Sequence, residues 1–235
     1  MKTFTIYCSD VWELGKYFTF IFGHRGLPRI YRENSIVGLN KAFEYCDFIE
    51  TDLRITKDNN IIFYHDSFIK GFFIQDLTLN EIELLLPDID LNDMIFNSRE
   101  QLKGNVNFEI KTDDTDKEFV ETIMKKIIGM TNYKDIITSF NWESIHNYKK
   151  SFNCRYGIIL DSEDDLFEAQ AISNHDDQMM FMVSNSVINS RNFNLPYERS
   201  VVWTVNDENE FQRLMELGLF GIITDIPDTM QLYKK

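Results

Sequence analysis

The chain has 235 residues, 43% of them hydrophobic and 14% aromatic, which is ample for a packed core and excludes disorder as its dominant state. Its 38 acidic side chains against 24 basic ones give a net charge of −14, so it is not a general nucleic-acid binder, and any polyanion would have to be met by a local basic site. Cys8, Cys46 and Cys154 are odd in number, widely spaced and without a Cys-x-x-Cys pair, which fits reduced thiols better than a disulfide framework or a zinc site.

At the start of the chain Asp10, Glu13 and Lys16 stand where a secretory signal needs an unbroken apolar core, and no later stretch approaches the ~20 apolar residues of a membrane span. A cytoplasmic protein without stable membrane insertion is expected. Short apolar runs then recur at Phe20 to Gly23, Phe48 to Leu53, Val106 to Ile110, Ile136 to Phe140, Tyr156 to Leu160, Met179 to Val183, Val201 to Val205 and Gly221 to Thr224, giving eight buried-strand candidates. Helical spacing separates most of them, as in Ile36, Leu39, Phe43, Cys46, then Phe119, Ile123, Met124, Ile127, then Phe211, Leu214, Met215. Asn34-Ser35 and Asp207 offer N-caps. This alternation predicts an α/β chain folded as a (β/α)₈ TIM barrel, with a doubly wound open sheet as the competing arrangement.

One run breaks the alternation. Ile61 to Tyr64 follows the second strand after only Thr56 to Asn60, too few residues for a parallel crossover, so it must return as a β-hairpin extension after the second strand. Residues 67–104 form the longest irregular stretch, with a short helix predicted at Leu79 to Leu85 before Pro87. No repeat or linker divides the chain, and residues 1–235 read as a single domain.

In a barrel the site lies at the C-terminal ends of the strands. Those ends are polar here: Gly23-His24-Arg25-Gly26, Glu50-Thr51-Asp52, His65-Asp66 closing the hairpin, Glu109-Ile110-Lys111 and Trp203-Thr204. Glu50 and Asp52 are two apart, as are Glu109 and Lys111, so each pair shares one strand face and points into the mouth. Three converging carboxylates repel one another unless a cation neutralises them, and an all-oxygen set suits one hard divalent cation, Mg²⁺ or Ca²⁺. His24 and His65 come from different loops to the same mouth and can act as general acid and general base. Arg25 and Lys111 supply local positive charge suited to a phosphate ester.

Taken in order, Gly23-His24-Arg25-Gly26, Glu33-Asn34-Ser35, Glu50-Thr51-Asp52-Leu53, Thr56-Lys57-Asp58, His65-Asp66, Phe108-Glu109-Ile110-Lys111, Ser139-Phe140, Val202 to Asn206 and Gly221 to Asp225 resemble the glycerophosphodiester phosphodiesterase family over nearly the whole chain. The resemblance implies a metal-dependent phosphodiesterase on a (β/α)₈ barrel that cleaves a small-molecule glycerophosphodiester to glycerol 3-phosphate and an alcohol. It places the metal carboxylates at Glu50, Asp52 and Glu109, the acid and base at His24 and His65, and the phosphate contacts at Arg25 and Lys111. It also puts Trp203 against the glycerol carbons and Glu33 in the site, with Asn34 mainly capping the first helix. A cyclic phosphate formed by the substrate's own hydroxyl is implied as intermediate, with His65 as base and His24 as acid.

The chain departs from the family pattern at Arg32, where a proline is usual, and in Ser67 to Gly71, near the leaving group. Two other readings remain, a lipid-cleaving phospholipase-type barrel and a non-catalytic phosphodiester-binding protein. His146 reads as a helix-surface residue, His175-Asp176-Asp177 as a loop at the far rim, and Met179, Met180 and Met182 as core. Asp113 to Asp116 reads as a capping segment that could also line a cationic head-group pocket, and Asp161 to Asp165 is similarly placed.

Overall fold

Near-continuous apolar runs make strands that are buried on both faces, and a computed structural model shows where they go for residues 18–234. In chain order come β1 (Phe20–Gly23), α1 (Ile36–Ala42), β2 (Phe48–Ile55), β3 (Ile61–Phe63), the small hairpin β4 (Phe68–Ile69) and β5 (Phe72–Phe73), α2 (Leu79–Leu85), β6 (Asn105–Ile110) and α3 (Lys117–Met130). Then follow β7 (Ile136–Ser139), α4 (Trp142–Tyr148), β8 (Arg155–Leu160), α5 (Leu166–His175), β9 (Met179–Ser184), α6 (Asn185–Ile188), β10 (Ser200–Trp203), α7 (Glu208–Met215), β11 (Gly221–Thr224) and α8 (Pro227–Met230). The expectations resting on Cys8, Asp10, Glu13 and Lys16 lie outside the described residues.

β1 pairs in parallel with both β2 and β11, and the parallel order β1-β11-β10-β9-β8-β7-β6-β2 closes an eight-stranded barrel. The open-sheet alternative is thereby excluded. β3 pairs antiparallel with the last three residues of β2, Leu53 to Ile55, so the hairpin grows from that strand where it rises past the rim. The helix at Leu79–Leu85 begins with a capping box in which Thr78 and Glu81 satisfy each other's backbone N–H groups.

Strand alternation sorts the core into two layers. Phe20, Phe22, Phe48, Ile136, Ile159, Met180, Met182, Val201, Phe220 and Ile223 fill the lumen. Their neighbours Ile21, Ile49, Ile137, Ile158, Phe181, Val202 and Ile222 pack outward under the helices. Phe22 stacks on Phe48 with centroids 4.5 Å apart. Gly221 makes room for that plug, because a Cβ there would lie 2.3 Å from the Phe22 ring. The segment after β3 has its own small core of Ile62, Ile69, Ile74, Leu77, Ile82 and Met94.

The first helix stops at Ala42, short of the predicted Phe43 and Cys46, which follow in turns capped by backbone bonds to Lys41 and Ala42 carbonyls. β10 likewise ends at Trp203, before the predicted Val205.

Candidate active site

Above the aromatic plug the same inward row of β2 changes from Phe48 to Glu50 and Asp52, and that of β6 presents Asn107 and Glu109. Glu50, Asp52 and Glu109 each bring a carboxylate oxygen within 4.8 Å of the others. Burial, together with the Asp52 charge, pushes Glu50 up to about 8. Burial and Asp52 raise Glu109 as well, against the opposing pull of Lys111. Glu50 Oε1 is buried with no hydrogen-bond partner. Such a cluster, with an orphaned acceptor aimed inward, fits a hard divalent cation.

His24 follows β1 on its inward face. Its Nδ1 lies 2.6 Å from Asp225 Oδ1, just beyond β11, and its Nε2 lies 3.8 Å from Glu50 Oε2. Burial alone would lower the His24 pKa, but the Asp225 hydrogen bond and the Glu50 charge outweigh it and leave it raised. Asp225 is held by Asn206 Nδ2 at 2.5 Å. Arg25 adopts a left-handed backbone with φ 51°, which turns its N–H onto Glu50 Oε2 at 3.0 Å. Its Nη1 donates to both oxygens of Glu33 at 3.2 Å. Arg25 Nε stands 3.2 Å from Asp52 Oδ2 as an ion contact, off the line of a hydrogen bond.

His65 sits past β3 on the opposite loop, its Nδ1 2.7 Å from Asp66 Oδ1. Lys111 Nζ donates to Glu109 Oε1 at 2.7 Å and lies 3.7 Å from Asp52 Oδ1. Burial would lower the Lys111 pKa, but the Glu109 and Asp52 charges hold it above its ordinary value. His24, Arg25, Glu50, His65, Glu109, Lys111 and Trp203 line one cavity of about 200 Å³, closed below by Ile159, Met182 and Ile223. Asp52 lies beneath Arg25, and Glu33 reaches the cavity only through that arginine.

Asn34, expected to cap the first helix, does something else. Ser35 is the cap, accepting from the Gly38 N–H. Asn34 is buried with φ 54°, donates Nδ2 to Asp52 Oδ2 at 2.8 Å, and accepts from Thr51 Oγ1 and the Asp52 N–H. It fixes the orientation of a carboxylate in the cluster. Phe140, predicted as the end of a strand, lies one residue past β7. Its ring meets Trp203 edge-on at 6.0 Å and covers Lys111 Nζ at 5.7 Å, so it is part of the cavity wall. No local sequence pattern joins Asp225 to a histidine 201 positions earlier, so its role shows only in the closed barrel.

The departure at Arg32 has a structural outcome: its guanidinium bonds the Glu33 carbonyl and Asp93, tying the Glu33 loop to the segment after β3. Asp113 pairs with Arg54, and Asp114 accepts from Ser67. Asp116 occupies the N-cap of α3 without a side-chain capping bond. His146 and His175 are exposed and away from the cavity, and Asp176 serves as an acceptor for Lys149 and Tyr156.

The chain is a closed (β/α)₈ barrel protein that carries three clustered carboxylates and two histidines at the C-terminal mouth of its strands. The profile of the glycerophosphoryl diester phosphodiesterase family matches residues 24–229, and the chain belongs to that family as a phosphoric diester hydrolase. It is 27% identical to a glycerophosphodiester phosphodiesterase of Caldanaerobacter subterraneus over an alignment covering 90% of this chain and 96% of that one. The structure is similar to that of a Thermotoga maritima glycerophosphodiester phosphodiesterase, with TM-score 0.70, 21% identity, and 90% and 96% of the two chains covered. It is also similar to an Oleispira antarctica phosphodiesterase solved with its product sn-glycerol-3-phosphate, with TM-score 0.71, 16% identity, and 92% and 97% covered.

Proposed function

We propose that the protein hydrolyses glycerophosphodiesters to glycerol 3-phosphate and an alcohol, with residues 1–235 working as one catalytic domain. The observation that carries this reading is the meeting of His24, His65, Arg25, Lys111, Glu50 and Glu109 in a single cavity sized for a small ester, with Asp52 in contact beneath them. Glu50, Asp52 and Glu109 would hold one Mg²⁺ or Ca²⁺, and the buried unpartnered Glu50 Oε1 supports that assignment. Such a cation supplies charge against the phosphoryl oxygens and makes a nearby hydroxyl more acidic.

The chain's own groups handle binding and protons. Arg25 and Lys111 bind the phosphoryl oxygens, and the Trp203 and Phe140 rings pack on the glycerol carbons. His65 Nε2, free because Nδ1 faces Asp66, accepts the proton of the glycerol hydroxyl as its oxygen bonds to phosphorus. His24 Nε2 protonates the departing alkoxide as its bond to phosphorus breaks. The Asp225 hydrogen bond to Nδ1 supports this role, because it favours the protonated ring and leaves Nε2 to the substrate. Water then opens the cyclic phosphate with the roles exchanged: His24 accepts the water proton and His65 returns a proton to the glycerol oxygen.

Cysteines odd in number and widely spaced, with Cys46 and Cys154 as free thiols, suit a reducing compartment, and we place the protein in the cytoplasm. No helix among the described residues is long and apolar enough to cross a membrane.

Phosphodiesterase assays with and without chelator, on the parent and on His24→Ala and His65→Ala, test the whole reading. Each variant should lose about 10²- to 10⁴-fold. A p-nitrophenyl leaving group, which departs without a proton, should partly rescue His24→Ala and not His65→Ala. Undiminished turnover in chelator, or equal losses on both substrates, would overturn the corresponding part. Binding without any turnover would point instead to a phosphodiester-binding protein.

A further inference from the structure

The inward row of β2 does not end at the carboxylates. Beyond Glu50 and Asp52 it continues to Arg54, in the part of the strand that rises past the rim to pair with β3. Arg54 is 3% exposed, which is unusual for an arginine outside a closed ion-pair network. Its Nε donates to the backbone carbonyl of His65 at 2.8 Å. Its Nη1 donates to the Asp113 carbonyl at 3.2 Å and its Nη2 to Asp113 Oδ2 at 2.7 Å. One planar fork therefore spans two separate loops, a task that a single ammonium cannot perform.

The backbone on either side is bracketed in the same sense. Tyr64 N–H donates to the Asp52 carbonyl at 3.1 Å, and Lys111 N–H donates to the Leu53 carbonyl at 3.0 Å. Farther out, Ser67 Oγ bonds Asp114 Oδ2 and Gln75 Oε1 accepts from the Asp116 N–H. His65 stands outside the barrel on a loop, with a side chain one-third exposed and only the adjacent Asp66 on its ring. The barrel wall that orients His24 is thus not available to it.

We propose that Arg54 is a positioning residue for His65. By gripping the His65 carbonyl while anchored to the Asp113 loop, it holds the outer histidine in place at the mouth. This rests on the proposed role of His65 and adds to it a residue that touches neither substrate nor metal ligand side chain. A shift of about 1 Å at a proton-transfer group can cost about 100-fold in rate.

The test is a double-mutant cycle on the full chain with a glycerophosphodiester substrate and saturating Mg²⁺. Arg54→Met should lower kcat about 100-fold with KM within about twofold, and Arg54→Lys, which keeps one of the contacts, should recover part of the loss. In a His65→Ala background, Arg54→Met should cost less than about twofold more, since a residue that acts through His65 has nothing left to position. The same fold loss with and without His65, or a loss confined to KM, would overturn the proposal. Should Arg54→Met fail to fold, as judged by its melting curve, Asp113→Ala goes through the same cycle; its loss should also vanish in His65→Ala, and persistence overturns the proposal. His65→Ala itself separates the two ideas. Unimpaired turnover in that variant removes the catalytic assignment, whereas impaired turnover with additive losses removes only the role of Arg54.

Discussion

Glu50 is the residue with the plainest chemical signature. A carboxyl that ordinarily titrates near 4.5 is pushed up to about 8 by burial and by Asp52, so without a cation it keeps its proton at neutral pH. Cation binding must then release a proton. Between about 4.5 and about 8 the cation-free folded state binds more protons at Glu50 than the unfolded chain does, so the stability that this group contributes is full below about 4.5 and is lost as pH rises through about 8. The expected outcome is that Mg²⁺ or Ca²⁺ raises the melting temperature more at pH 8 than at pH 6. Calorimetry in two buffers should also show proton release near pH 7 that disappears in Glu50→Gln. Cation binding with no proton exchange would remove Glu50 from the ligand set.

At the scale of elements, what the sequence made legible followed from strand geometry. Residues two apart share a face, so strand spacing alone places Glu50 with Asp52 and Glu109 with Lys111 at the mouth. The Thr56 to Asn60 gap was too short for anything but a hairpin, and β3 pairs as that length requires. What stayed hidden depends on contacts distant in sequence or on backbone angles without a residue-type signal. Asn34 at φ 54° turns from the helix to Asp52, Asp225 meets His24 only after the barrel closes, and Arg54, one residue past the predicted strand, finds its partners 11 and 59 positions away. The β4–β5 hairpin and the short turns around it owe their form to the small core beneath them.

The buried pair that locks the end of this segment to the barrel floor was hidden for the same reason. Arg99 Nε and Nη2 donate to the two oxygens of Asp135, which is 0% exposed, at 2.8 and 2.7 Å, and the same guanidinium bonds the Leu102 and Gly104 carbonyls. Removing one partner strands the other charge in the core. Asp135→Ala should therefore lose about 3–5 kcal/mol in urea denaturation. A loss below about 1 kcal/mol would show that water reaches Arg99 and that the pair is not sealed.

For the molecule as a whole, the division of the apolar core matters. The barrel shares its two large clusters around the full ring of strands and takes in Phe96 and Leu102, while the stretch from β4 to α2 rests on a separate small group of buried side chains around Ile62, Ile74 and Met94. A unit with its own small core can open without the barrel opening. In native-state hydrogen exchange, amides of β4, β5 and α2 should exchange at a lower free energy than those of β1, β7 or β9. Equal protection throughout would mean that segment and barrel unfold together.

The phenylalanine plug in the lumen has a consequence for timing. With Phe20, Phe22, Phe48 and Phe220 filling the barrel beneath the carboxylates, the cavity is a cul-de-sac, and traffic in and out shares one doorway. Under the cyclic route the departing alcohol and the incoming water need the same place beside phosphorus. The described residues leave no back entrance beneath the plug, so on this route the alcohol would clear the doorway first. In the proposed cyclic route the order of events would then be set by a wall of aromatic rings, and another alcohol waiting at the threshold would compete with water for the vacated place.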